Sequence, residues 1–279
     1  LTQEVTTTNG NAVSTISADD MALMAGDRST RVMKQESLIT PQIRIVQTTS
    51  GYFKRSHADY VPGAEEGDFI DTLSRTLRKG ARIIVCEERV TYTEWKPNQG
   101  PLVKQWGTDP TGYNNAEGDF GTRKTAEGND IVPAETYYCL LLTDDEGASL
   151  PCVIYLTGTQ YRKARRLNTL LTTFELRGPD GPFTAPFWAR AFDCTTVPES
   201  NDQGSWMGWK IEPGPLTLTL PGGRNLYMKA KLFAEAVNRD EVQAAPPVDR
   251  EMRAAPASEG RREDSRPVPG GGVDEDIPF

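Results

Sequence analysis

A single histidine, His57, is all the imidazole the chain contains. It lies in a polar, aromatic, loop-like stretch, GYFKRSHADY. Ser-His-Asp, Cys-His and multi-His metal arrangements are therefore set aside together. The four cysteines, Cys86, Cys139, Cys152 and Cys194, include no Cys-x-x-Cys pair. Three sit among apolar or β-branched neighbours and the fourth follows FWARAFD, so buried, reduced thiols in strands are expected. No Gly-x-x-x-x-Gly-Lys-Ser/Thr motif is present. PGGR (221–224) and PGGG (269–272) read as a turn and a linker. There is no run of 18 apolar residues, which argues against a membrane span. The N-terminus lacks a basic region followed by an apolar stretch, so no secretory signal is expected. Adjacent carboxylates such as Glu87 and Glu88 point to opposite sides of a strand and cannot share a proton with each other. No metal, no cofactor and no catalysis are expected.

The apolar fraction is 37%, below the usual globular level, so part of the chain is expected to stay unpacked. The net charge of −8 is unevenly spread. Residues 241–279 carry nine acids against five bases, whereas residues 41–240 are close to neutral. Any basic surface must then be local. Residues 1–37, rich in Thr, Ser, Asn and Asp, read as a flexible arm. Residues 241–273, rich in Pro, Ala, Gly and charge, read as a disordered linker.

Between them, residues 38–240 read as one core. Ile43 and Ile45 alternate with polar residues as a first strand. Phe69, Leu73 and Leu77, four apart, predict a short helix over 67–80. Residues 81–97 predict a long strand with Val85, Glu87, Arg89, Thr91, Thr93 and Trp95 on one face. The Gly-, Asn- and Pro-rich stretch 98–131 reads as a long loop. ETYYCLLLTDDEGASLPCVIYLTG predicts a β-hairpin. A helix is expected over 159–178 with Tyr161, Ala164, Leu167, Leu170, Leu171 and Phe174 on its packing stripe. Two strands and a last helix follow, the helix packing through Leu226, Lys229, Phe233, Ala236 and Val237. This order predicts a mainly β fold, an OB-like antiparallel barrel with one or two helices, flanked by disordered arms.

A single-strand binder needs rings on which bases stack and cations that follow phosphate. Three stretches mix the two. The first holds Tyr52, Phe53, Lys54 and Arg55; the second holds Arg89, Trp95, Lys96, Lys104 and Trp106. The third is the helical run Arg162, Lys163, Arg165 and Arg166. Tyr92 and Trp95 face opposite sides of one strand, and Trp95, near the strand end beside Lys96, is taken as the ring that meets DNA.

The last residues read Asp274, Glu275, Asp276, Ile277, Pro278 and Phe279. This end, after a Gly/Pro-rich linker, resembles the acidic tip of bacterial single-stranded DNA-binding proteins (SSBs). The resemblance covers the tip and the linker style and does not extend to the SSB core. It implies a divergent, phage- or mobile-element-encoded version. It also implies docking of replication, recombination or repair proteins on residues 274–279, and action in the cytoplasm of a bacterial cell or phage-infected host. A homo-oligomer is compatible with it. The Phe279 ring suits a shallow apolar pocket, and the acids steer toward basic partner surfaces. The expected function is sequence-tolerant single-stranded DNA binding that protects DNA and recruits partners. A recombination mediator or strand-annealing protein, a metal-dependent nuclease with an SSB-like tip, and a phage structural protein are the alternatives.

Overall fold

The computed structural model describes residues 39–97, 100–118, 121–143, 147–202 and 204–244. The predicted arm and the predicted tail and tip, apart from residues 241–244, lie outside the described residues.

The chain opens with β1 (Ile39–Thr40), then β2 (Ile43–Ile45), β3 (Phe69–Asp71) and β4 (Leu77–Arg78). The last three form a small antiparallel sheet. The helix expected over 67–80 is therefore overturned: this stretch is a tight β3–β4 hairpin. Asp71 is the cause. Its Oδ1 accepts hydrogen bonds from the amides of Leu73 (2.8 Å) and Ser74 (3.0 Å), and Arg75 adopts a left-handed φ of 58°. Leu73, read as a packing residue, is 70% exposed.

β5 (Ala81–Trp95) is the spine of the main sheet. The segment read as a loop, 98–131, holds β6 (Leu102–Gly107), helix α1 (Thr111–Asn114) and β7 (Arg123–Lys124). β6 pairs back onto the end of β5, so the stretch is a folded lobe. β8 (Asp130–Leu142) and β9 (Ser149–Leu156) make the expected hairpin. Helix α2 covers Tyr161–Thr172, shorter than predicted. The Thr172 and Thr173 hydroxyls bond back to carbonyls of the preceding turn, and the chain then leaves as β10 (Glu175–Gly178) and β11 (Gly181–Thr184) around Pro179-Asp180. β12 (Arg190–Asn201) and β13 (Gly204–Leu216) pair along their length. Helix α3 (Gly223–Asn238) and β14 (Gln243–Ala244) complete the described chain, and β14 lies parallel to β1.

The main sheet runs β13-β12-β5-β8, with β6 on the far half of β5, and β7 and β9 sharing the outer edge of β8. It is antiparallel throughout and does not close on itself. The small sheet sits between its ends. Gln42 bridges to Val153 of β9, and the Gln47 amide exchanges two hydrogen bonds with the Met207 backbone of β13. The fold is mainly β and OB-like, with a helix between the third and fourth long strands.

Two cores lie on opposite faces of β5 and β8. On one, Ile83, Val85, Tyr137, Leu141, Ile154 and Trp209 pack under Ala164, Leu167 and Leu171 of α2. On the other, Ile84, Cys86 and Leu140 pack under Leu226, Ala230 and Ala234 of α3. All four cysteines are buried and free, as their neighbours predict. A β-bulge between Val85 and Glu87 leaves Cys86 without a partner on β8. The bulge corrects one expectation: Val85 faces α2, but Glu87 has been turned to the α3 side, where Asn238 donates to it. The residues from Glu88 onward alternate in the new phase.

Candidate nucleic-acid interface

Beyond the bulge, β5 and β8 extend as a ribbon toward the lobe, edged by β6, β7 and β9. The α2-facing side of this ribbon carries Glu88, Tyr92 and Glu94 from β5 and Glu135 and Tyr137 from β8. α2 adds Tyr161, Arg165 and Asn168. The lobe adds Lys104 and Trp106 from β6, Tyr113 from α1 and Arg123 from β7.

These residues form a row of rings, three of which carry a cation against them. The Lys104 ammonium stands 3.3 Å from the Trp106 ring centre. The Arg123 guanidinium lies 4.3 Å over the buried Tyr113 ring, and Tyr113 packs against Tyr92 with centroids 5.2 Å apart. Arg165 lies over Tyr161 at 5.9 Å. Trp106, Tyr92 and Tyr161 are each half-buried, seated but not covered. Trp106 is fixed from two sides. Its Nε1 donates to Glu94 at 3.1 Å, and Gly112 leaves room beneath the indole, where a Cβ would come within 2.5 Å of the ring. Asn129 donates to the other Glu94 oxygen at 2.7 Å, which holds that carboxylate in place. Such cation–π pairs and half-exposed rings suit stacked bases with phosphates alongside.

A carboxyl pair lies below the row. Glu88 cannot share a proton with Glu87, its chain neighbour, but it hydrogen-bonds Glu135 on β8. Burial first, then the hydrogen bond and charge of Glu135, push the Glu88 carboxyl up to about 8. At neutral pH the Glu88 carboxyl therefore keeps its proton. Asn168 donates to Glu135 at 3.3 Å, and the Tyr161 hydroxyl also donates to it. Tyr137 donates to Asn168 at 2.7 Å. Burial raises the Tyr137 and Tyr161 hydroxyls well above their ordinary range, so both stay neutral donors.

Of the residues predicted from sequence, the structure brings Lys104, Trp106 and Arg165 into this row. Phe53, Lys54 and Arg55 are exposed on the turns after β2, Lys96 just beyond Trp95, and Arg162 on the outer side of α2. Four side chains have structural partners instead. Arg89 clamps the end of α3, donating to Asp240 at 2.5 Å and to the Val237 carbonyl at 2.7 Å. Lys163 pairs with Glu199 at 2.6 Å, and Arg166 donates to the Ile211 carbonyl at 3.2 Å. Trp95 is only 4% exposed and donates to Thr93. Tyr52, 6% exposed, packs with Val46, Val61 and Ile70. Neither ring presents a face to a base. Residues 274–279 lie outside the described residues.

Sequence reasoning missed Tyr92, Tyr113, Arg123 and Tyr161 as members of the row. Tyr92 was the available signal: strand alternation separates it from Trp95, and the wrong one of the two was taken as exposed. Tyr113 and Arg123 meet only because α1 and β7 fold the lobe. Among the described residues, no group of three His, Cys, Asp or Glu side chains is placed to hold a metal, and no helix is long and apolar enough to cross a membrane.

A family model described as Pam3 phage gp34-like protein matches residues 8–243, and the chain belongs to that phage protein family. No curated protein and no solved structure matches it.

Proposed function

We propose that this phage-family protein binds single-stranded DNA without strong sequence preference and performs no catalysis. The observation that carries the reading is the row Lys104–Trp106–Tyr92–Tyr161–Arg165, in which a cation at each end flanks half-buried rings along one side of an OB-like ribbon. Its chemistry fits the two features shared by all single strands, π faces and phosphates. The lobe joining β5 and β8 corresponds to the loop between the first two strands of an OB fold, a position from which such folds hold oligonucleotides. Cations on the row meet phosphate, and the proton kept on Glu88 limits the repulsion beneath it.

Residues 274–279, with three acids and an aromatic ring, serve in this reading as a docking element for replication, recombination or repair proteins in the infected bacterial cell. The linker, if flexible, gives them a reach of roughly 30 Å.

The test is a titration of the full chain with oligo-dT, read by tryptophan fluorescence across a salt series. Quenching that weakens steeply with salt is expected. No quenching at low salt, or quenching indifferent to salt, overturns the reading. Magnesium-dependent cleavage of the oligonucleotide would decide instead for the nuclease alternative.

A further inference from the structure

The β10–β11 hairpin stands apart from the main sheet. Its two strands pair with each other and, among the described residues, with no other strand. It is rooted at its base: the Ala185 amide donates to the Phe174 carbonyl at 2.8 Å, and the Arg190 guanidinium lies 4.0 Å over the Phe174 ring. The first of these contacts sets the phase of the ladder. Bonded and non-bonded pairs alternate between antiparallel strands. Phe174–Ala185 is bonded, so Leu176–Phe183 and Gly178–Gly181 are the bonded pairs of the hairpin. Glu175 and Arg177 therefore turn their amides and carbonyls away from β11. Among the described residues, these outward groups have no partner.

An open backbone edge invites another strand, and other edges of this fold are blunted against it. On β11 the outward residues are Pro182 and Thr184, and Pro182 has no N–H to offer. β13 carries Pro213 and Pro215 near its end. β6 has a bulge at Trp106 and the exposed cation Lys104. β10 has neither a proline nor a bulge. Its outward residues are charged and exposed, but Glu175 and Arg177 differ in sign. Charges of one sign repel a second identical edge; charges of both signs can match it.

We propose that the β10 edge is a docking surface for a second copy of this chain. Two β10 strands set antiparallel about a two-fold axis at Leu176 bring Glu175 of each copy opposite Arg177 of the other. These are the residues whose amides and carbonyls point outward. They exchange backbone hydrogen bonds across the axis, and their side chains form ion pairs on one face. On the other face Leu176 meets its own copy, and Phe183, 48% exposed in the single chain, extends the apolar stripe on either side. The neighbouring registers fail. An axis at Glu175 sets carboxylate against carboxylate, and one at Arg177 sets guanidinium against guanidinium. An unrelated strand would match these two charges only by chance, whereas a second copy matches them by symmetry. A two-stranded hairpin is marginal alone, and the pairing makes it part of a four-stranded sheet.

The test uses the full chain without DNA, so its outcome is independent of the single-strand reading. Sedimentation velocity from about 5 to about 500 µM should show a monomer giving way to a dimer, since a short edge makes a weak contact. Over the same range, hydrogen exchange at the Glu175 and Arg177 amides should slow, while the Leu176 amide, already bonded to Phe183, changes little. Arg177→Glu should weaken the dimer about tenfold, because both cross-strand pairs become repulsive. Adding Glu175→Arg restores opposite signs and should return the affinity to within about threefold of the original chain. Both are exposed strand positions, so the variants keep the fold. A monomer throughout the range overturns the surface. So does a dimer whose Glu175 and Arg177 amides exchange as in the monomer. A dimer that Arg177→Glu leaves intact, or that the double variant fails to restore, overturns it as well.

Discussion

The two halves of β5 obey different rules. From Ala81 to Cys86 every residue except Arg82 is buried, because α2 covers one face and α3 the other. From Glu87 to Tyr92 no residue is buried, and the side facing α2 carries carboxyls and rings. The first half specifies where the sheet sits. The second half, on the same strand and in the same ladder, is held by its pairing to β8 and by side-chain hydrogen bonds. Burial gives stability without chemistry; the half-buried ribbon gives up some stability and presents groups that can bind.

This contrast can be broken in order of effect. Ile84→Ala in the first half should destabilise the chain by about 2–5 kcal/mol in urea unfolding, since the cavity cannot collapse under α3. A loss below about 1 kcal/mol would mean that the α3 core is not packed as described. Trp106→Ala in the lobe should cost about 1–3 kcal/mol of oligo-dT affinity, measured by anisotropy, with a smaller effect on unfolding. An unchanged affinity takes Trp106 out of the interface.

The carboxyl pair sharpens the comparison through pH. Glu88 is raised in the folded chain to about 8, and the unfolded chain ionises it in the ordinary carboxylate range. The folded state therefore binds the extra proton between those values. Its contribution is fully present below the lower value and is lost as pH rises through about 8. The melting temperature should fall as pH rises from about 5 to about 8 and level off above that, and Glu88→Gln should flatten that fall. Parallel profiles for the two proteins would show that Glu88 is not the group responsible. The smallest effect belongs to Arg165→Gln. It should lower the slope of log affinity against log salt by about 1 and leave stability within about 0.5 kcal/mol. An unaltered slope would place Arg165 off the phosphate path.

The sequence made the long strands legible because their apolar residues alternate, and α2 legible because Ala164, Leu167 and Leu171 recur at helical spacing. It misled at 67–80, where Phe69, Leu73 and Leu77 have helical spacing by coincidence and one Asp71 carboxylate outvotes them. The bulge at Cys86 was invisible, because an inserted residue changes the phase of a strand without changing its composition. The candidate interface was half legible. Lys104, Trp106 and Arg165 were found as a mixture of rings and cations. Their neighbours Tyr113 and Arg123 come together only in three dimensions. Arg89, Lys163 and Arg166 show the opposite error: a base near rings or in a basic run looks solvated until its carbonyl or carboxylate partner is placed beside it.

The buried cysteines have a practical consequence. Burial raises all four thiols well above their ordinary range, and all four are shielded from solvent. The native chain is thus nearly silent toward maleimides and other thiol reagents while it stays folded. A cysteine placed at an exposed position, such as Arg55 or Leu73, would be the one reactive handle on an otherwise unmodified background. Fluorophores or spin labels could then report the path of a bound strand across the ribbon without first stripping the core of its sulfur.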